Sequence, residues 1–345
     1  MRAVQLVGKG GLSDVRLIEV PVPHPGPDEV LVRVAASSLN RLDLAAIFNW
    51  SPSAIRYPIT LGIDPAGTIV DVGAEVNERR VGDRILVKPT TSCSECRYCI
   101  ANHDESCESR TTFGLDQNGG LAEYISVPEQ SAYVVAATTD LIAASAFAHS
   151  FPVAYEMLHM RAAATPSDNI LVMGASGAVG SAATQLAGLM SEHVVAVSRN
   201  ADAVEVSSAS RSVTVVGYGE DPEELAVKIR AGFGGGRADV IIDPNADEGL
   251  WTVLPELLQQ RGRIVFCGTG AVRSLPLDPF WLYRTRASVI GSAGASQRAF
   301  RAGLELLDRG SITPKIDAIV TLEDIHGGYE KLRTRRNQGK LVVAI

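Results

Sequence analysis

No stretch of the 345-residue chain approaches the roughly 18 apolar residues that a membrane-spanning helix needs, and the opening Met1-Arg-Ala-Val-Gln-Leu-Val7 lacks the apolar core of a secretory signal. Membrane insertion and export are therefore not expected, and a cytoplasmic location is. Positive charge is scarce too. The net charge is -7, and Arg333, Arg335 and Arg336 form only a small solvated cluster, so there is no basic footprint for nucleic acid. Internal repeats, low-complexity runs and flexible linkers are missing as well. What remains, 46% hydrophobic and 21% charged residues, supplies cores for about two domains at this length.

Cysteine is sparse but unevenly spent. Four of the five cysteines, Cys93, Cys96, Cys99 and Cys107, fall within fifteen positions. Thiolates at C-x-x-C spacing wrap one tetrahedral ion, and four sulfurs leave no open coordination position, which describes a structural zinc. The alternatives are a reduced loop, or disulfides in an oxidising or hyperthermophilic setting. Cys267, in an apolar run at 263–267, reads as a small core residue.

The chain is organised around residues 169–190, a short apolar strand, the turn Gly174-Ala175-Ser176-Gly177-Ala178-Val179-Gly180, and a helix expected from Ser181. Its glycines allow a tight turn and close approach to a pyrophosphate, with free helix N–H groups facing the phosphates. Alone this is an ordinary strand-to-helix connection. A second apolar strand at 193–197, at βαβ distance, turns it into a dinucleotide cradle. That strand ends in Ser198-Arg199-Asn200 and lacks the acid that would hold a ribose 2′-hydroxyl. Ser198 and Arg199 suit a 2′-phosphate instead, so NADP(H) is expected. One charge-assisted contact of about 1.5–3 kcal/mol gives roughly tenfold to a hundredfold preference over NAD(H), unless Arg199 is merely a surface arginine.

Around this unit, residues 1–150 read as short β-rich segments between Gly and Pro, a small barrel-like domain, and helical sequence begins near Leu141. Strands at 213–216, 238–242 and 263–267 alternate with helices at 222–231 and 250–260 up to residue 292. The helix at 297–309 and the strand at 316–321, helix at 322–337 and strand at 340–345 that follow are assigned back to the first domain. The domains are thus 1–150, 151–292 and the return segment 293–345.

Several motifs in order, the proline-rich turn at 21–27, Asn40-Arg-Leu-Asp43, Gly62-Ile-Asp64, Val81-Gly-Asp83, the cysteines, the glycine turn and Gly339-Lys340, resemble the medium-chain dehydrogenase/reductase superfamily across the whole chain. The resemblance implies an α/β fold, a GroES-like β-rich catalytic domain split around a Rossmann doubly wound domain, with cofactor and substrate between them. It places Arg41 at the pyrophosphate, Tyr218 near the adenosine phosphate, Cys267-Gly268-Thr269 and Gly291-Ser292 on the nicotinamide side, and Lys340 near a phosphate. A homodimer or homotetramer is implied, with residues 274–282 apolar enough for an interface.

Zinc alcohol dehydrogenases of that family hold a catalytic zinc at positions that are Asn40, Ile63 and His149 here, with Asp64 in place of a glutamate. An isoleucine cannot coordinate and an asparagine amide is a poor ligand, so no catalytic zinc is expected. Without a Lewis acid, a conjugated acceptor that delocalises charge is easier to reduce than a plain ketone. The leading expectation is hydride transfer to a quinone or activated alkene. The alternatives are a zinc-free reductase of activated or bulky ketones and a catalytically silent NADP(H)-binding redox sensor. Asn40 is expected to donate its amide to the substrate oxygen or to serve as a turn residue. His149 is a proton donor or a buried structural histidine, and Asp43 and Asp64 are remnants around the lost metal. Trp50, Tyr57, Ile63 and Trp281 are candidates to wall an apolar small-molecule pocket.

Overall fold

The ten-residue strand Glu29–Ser38, buried along most of its length, is the spine of the first of two compact units, Met1–His149 with Ser296–Ile345. The computed structural model describes residues 1–49, 55–206, 210–217, 219, 221–246, 248–268 and 274–345. One edge of the spine pairs antiparallel with Asp64–Val72. The other edge is shared by Tyr124–Pro128 in its first half and Lys340–Ala344 in its second. The β-branched residues Val30, Val32, Val34, Ile69, Ile85, Val87, Ile125 and Val127 form one core, which explains why this valine-rich stretch is a central strand. A second core gathers Leu6, Leu44, Ile47, Leu61, Leu121, Tyr329 and Val343.

Strand register does further work at the end of the spine. Ser38 lies opposite Asp64 on one side and Val342 on the other, and Leu39 N–H donates to Leu341 O at 2.8 Å. Continuing that antiparallel register puts Asn40 opposite Lys340. Residues far apart in sequence thus meet at one sheet end.

The cysteine lobe hangs from the ladder of Thr90–Thr91 with Thr111–Thr112. It is tied down by Lys88, whose ammonium lies 2.8 Å from Asp104 with both side chains nearly buried. Asp104 also accepts Gln297 N–H at 2.7 Å, so the return segment grips the lobe.

The second unit, Ser150–Ala295, is a six-stranded parallel sheet. Counting from Ile170–Met173, its strand order is 3-2-1-4-5-6, the doubly wound arrangement. The chain order reverses between Ile170–Met173 and Ala238–Asp243, at whose carboxyl ends ligands bind in such sheets. The helix after the glycine turn runs Ala178–Met190, starting three residues before the expected Ser181.

The expected helix at 250–260 is broken into two single-turn helices, Glu248–Trp251 and Leu254–Leu257, before the strand Leu258–Phe266. Pro255 has no backbone N–H to give a continuous helix, and Leu258, apolar at helical spacing, is buried instead in the parallel ladder opposite Ala238. That strand stops at Phe266, leaving Cys267 in the loop beyond it rather than inside the strand. The expected helix at 322–337 is shorter, Ile325–Arg333. No single helix among the described residues is long and apolar enough to cross a membrane.

Breaking the Lys88–Asp104 pair leaves a nearly buried carboxylate without its cation. Lys88→Met should destabilise the first unit by about 3–5 kcal/mol. Urea unfolding followed alongside zinc release checks this, and a loss below about 1 kcal/mol would show that the pair is solvated and incidental.

Candidate active site and cysteine lobe

The sheet end assembled by register carries a polar cluster enclosed in apolar surroundings. Asp64 is 0% exposed, Lys340 3% and Asn40 6%. Asp64 Oδ2 accepts three donors: Ser38 Oγ at 2.5 Å, Asn40 Nδ2 at 2.8 Å and Lys340 Nζ at 2.8 Å. Lys340 Nζ also donates to Asn40 Oδ1 at 2.6 Å, and Asn40 Nδ2 to Ser38 O at 3.1 Å. A lysine can only donate, so the amide orientation of Asn40 is set by its partners.

Two expectations change here. Asn40 spends its side-chain N–H groups on Ser38 and Asp64, so it is not a free donor for a substrate oxygen. Lys340, expected beside a cofactor phosphate, is turned into the cluster instead.

Asp43 lies on the helix Arg41–Ile47, accepts Asn40 N–H at 2.8 Å through Oδ2, and is fully buried. Its Oδ1 has no hydrogen-bond partner among the described residues. Burial pushes its pKa up to about 7, against the Asn40 N–H and with help from the Asp64 charge. Tyr329 stands in electrostatic reach, and its own pKa is raised well above normal by burial and then by Asp43. Burial holds His149 down to about 4, against the pull of Asp64, so its imidazole is neutral. Ile63, beside Asp64 in sequence, is completely buried and offers no donor.

In the lobe, all four sulfurs lie within 4.8 Å of one another. Cys93 to Cys99 is 3.9 Å, Cys96 to Cys99 is 3.6 Å and Cys93 to Cys107 is 3.5 Å. A tetrahedron of thiolates with Zn–S of about 2.3 Å has sulfurs ~3.8 Å apart, so these side chains fit a structural zinc. Backbone N–H groups of Cys93 and Cys96 point at the sulfurs of Cys107 and Cys93, both at 3.4 Å. The Cys99 N–H draws the Cys96 thiol down to about 6, and the Cys93 N–H lowers Cys107. Burial and neighbouring sulfur push Cys99 up to about 12, a charge burden that a dication relieves.

In the second unit, Gly174 has φ +65°, and a Cβ there would lie 2.5 Å from Asn245 Nδ2. A Cβ on Gly180 would lie 2.1 Å from Gly174 O, so helix and turn require glycine at that contact. Ala175 N–H donates to Val197 O at 2.9 Å, which fixes the turn to the second strand. Gly177 caps the helix Ala178–Met190 without a side chain, leaving the first-turn N–H groups of Ala178 and Val179 for an anion.

Ser198, expected at a 2′-phosphate, is buried and donates to Ser176 Oγ at 2.8 Å while accepting Asn200 N–H at 3.1 Å. It braces the turn. Arg199 is exposed at the strand tip and makes no ion pair among the described residues. Gly268, with φ +59°, follows Cys267, whose thiol burial raises to about 12. Gly291 O accepts both Nε and Nη2 of Arg161, at 3.2 and 3.0 Å. Ser292 is buried and its hydroxyl has no partner among the described residues.

Arg41 is exposed in the first unit, with its pKa lowered by partial burial and by nearby Arg335. Tyr57 packs against the core of the first unit, and Trp281, with Leu275 and Leu277, against that of the second. Phe280 and Tyr283 are 64% and 79% exposed. Trp50, Tyr218 and Thr269 lie outside the described residues. Ser38 and Tyr329 escaped the sequence reading. The polar Ser37-Ser38 ending an apolar strand just before Asn40 was the available signal for Ser38, whereas Tyr329 sits on the apolar side of its helix like any core aromatic.

A doubly wound parallel sheet with a glycine turn, joined in one chain to a GroES-like β-rich unit with a four-cysteine lobe, defines a nicotinamide-dependent oxidoreductase architecture. The chain belongs to the medium-chain dehydrogenase/reductase superfamily, of the alcohol dehydrogenase type. The alcohol dehydrogenase GroES-like domain matches residues 26–137 and the zinc-binding dehydrogenase domain residues 178–309. A thermostable alcohol dehydrogenase from Pyrobaculum aerophilum, solved with cobalt and zinc bound, is 30% identical with a TM-score of 0.87, covering 100% of this chain and 99% of that one. An NAD-dependent alcohol dehydrogenase of Sulfolobus acidocaldarius is 29% identical across 96% of both chains. An acryloyl-coenzyme A reductase of Sulfurisphaera tokodaii is 27% identical across 98% of both.

Asp43 provides a pH test. Its folded pKa of about 7 lies above the ordinary 3.8, so its contribution is fully present below pH 3.8 and is lost as pH rises through about 7. Asp43→Asn keeps an acceptor for Asn40 N–H but cannot ionise. Its unfolding midpoint relative to wild type should therefore improve from pH 5 to about pH 7 and level off above that. A pH-independent difference would show that Asp43 titrates normally.

Proposed function

We propose that this oxidoreductase transfers hydride from NADPH to a quinone or to an alkene conjugated with a carbonyl, without a catalytic zinc. The observation that carries the reading is the donor set at the family's catalytic-metal positions. Ile63 is buried and apolar, Asn40 has its oxygen engaged by Lys340, and Asp64 Oδ2 already accepts three donors. Of the three ligand positions only His149 offers a good zinc ligand, and one imidazole does not hold the ion tightly.

A reduced nicotinamide, when bound, supplies the hydride. The chain's own share is to seat the pyrophosphate at Gly174–Val179, to keep the first-turn N–H groups free, and to present a neutral imidazole at His149. Hydride added to the β-carbon of a conjugated carbonyl places charge on the enolate oxygen, and solvent protonates the α-carbon. A neutral His149 N–H suits the enolate oxygen because it donates without needing to be charged. The relative that acts on acryloyl-coenzyme A, whose alkene is conjugated to a thioester, supports this acceptor class. The relatives named alcohol dehydrogenases favour a second reading, reduction of an activated ketone.

The NADP(H) preference rests on Arg199 alone, exposed and without an ion pair among the described residues, since Ser198 is committed to the turn.

An aromatic α,β-unsaturated ketone offered with NADPH carries both acceptors in one molecule. The saturated ketone is the expected product, and an allylic alcohol would overturn the alkene reading in favour of carbonyl reduction. For the cofactor, Arg199→Ala should weaken NADPH binding roughly tenfold to a hundredfold and leave NADH binding unchanged. Tighter binding of NADH than NADPH by the wild-type protein would refute the preference.

A further inference from the structure

The family places a cation near residues 40 and 64, and this chain keeps polar groups there although the residues do not fit a metal. The cluster is buried, contains a carboxylate, and holds Asn40 Oδ1 aimed inward. Such a set of oxygens needs a positive partner. We propose that the Lys340 ammonium is the resident cation of the Ser38–Asn40–Asp64 cluster and closes the place to a second metal. The inference rests on the zinc-free reading above but is independent of the acceptor reduced.

Three observations carry it. Lys340 Nζ bonds Asn40 Oδ1 and Asp64 Oδ2 at 2.6 and 2.8 Å, so the two oxygens converge on one charge. Strand pairing brings the lysine there across the sheet from Asn40, and Lys340 N–H is itself fixed to Lys315 O at 2.8 Å. Finally, the oxygens a metal would need are consumed. Asp64 Oδ1 is the oxygen left without a partner, and with His149 it makes at most two donors, short of a tetrahedral set. A dication arriving beside the ammonium would also meet like-charge repulsion in a medium that screens poorly. Lys340 therefore acts as a specificity-determining residue for cation identity. It substitutes a fixed monovalent charge for an exchangeable divalent one, and its removal frees Asn40 Oδ1 and one lone pair of Asp64.

The test uses the full chain with its structural zinc. Elemental analysis of wild-type protein should find one tightly held zinc per chain, and a second metal would overturn both the zinc-free reading and this inference. Lys340→Ala should lower the thermal midpoint by roughly 5 °C or more. Ethylammonium chloride should then raise that midpoint in a concentration-dependent way beyond equimolar potassium chloride, and cobalt(II) should do so at lower concentration. Wild type should respond to neither. A Lys340→Ala protein that ignores both cations, with one zinc in wild type, overturns the ammonium's role while the zinc-free reading stands. Should Lys340→Ala fail to fold, Asp64→Asn with Lys340→Met removes both charges together. Recovery of folding in that double variant supports the pairing, and a double variant that also fails to fold overturns it.

Discussion

The structure of the first unit depends on one buried ion pair made across 276 residues of sequence, between Asp64 and Lys340. A carboxylate that is 0% exposed is tolerable only beside a positive charge with hydrogen bonds to spare, because desolvation otherwise outweighs the attraction. Ser38 and Asn40 supply those bonds to Oδ2. The pair also explains why the chain must return after the Rossmann unit: the strand Lys340–Ala344 completes the edge of Glu29–Ser38 and brings the cation with it. Topology and electrostatics are the same requirement seen twice.

The charge balance around that pair sets what the site can do. Asp64 is matched by Lys340, burial favours a neutral Asp43 up to about pH 7, and His149 is neutral above about pH 4. A reaction that builds negative charge on a substrate oxygen would meet hydrogen-bond donors rather than a strong local cation. On the zinc-free reading proposed above, that arrangement would suit acceptors able to spread the charge by conjugation better than simple ketones. The Oδ1 atoms of Asp43 and Asp64 have no hydrogen-bond partner among the described residues, and Ile63, next to Asp64 in the chain, contributes no donor.

Much of the fold was legible because its signals are local. The turn at 174–180 declares a strand, a tight bend and a helix within a few residues, and four cysteines within fifteen positions declare their shared site. The cluster at the sheet end was only half legible. Asn40, Asp43, Asp64, His149 and Lys340 could each be singled out, but their bonding depends on register, which a sequence does not print. Asn40 therefore looked free and Lys340 looked bound for a phosphate. Ser198 misled for the same reason: a serine at a strand tip looks available until its hydroxyl is found on Ser176. At 250–260 the apolar spacing favoured a helix, while a buried parallel ladder claimed Leu258.

The two candidate metal places in the first unit differ in how far apart their ligands lie in the chain. The cysteine lobe draws all its donors from residues 93–107, a segment with little apolar core of its own: none of the residues in its short helix Arg97–Ile100 is buried. Such a loop gains its order from an ion, and the Lys88–Asp104 pair attaches the ordered lobe to the sheet. A zinc held there would carry the fold of the lobe. The sheet-end cluster is different, because its backbone is already fixed by ladders on both sides of Glu29–Ser38. Only its charge needs an answer, and a lysine delivered by the last strand answers it without an ion. On the proposed reading, the metal is dispensed with where ladders already hold the scaffold and retained where four thiolates have little else to order them.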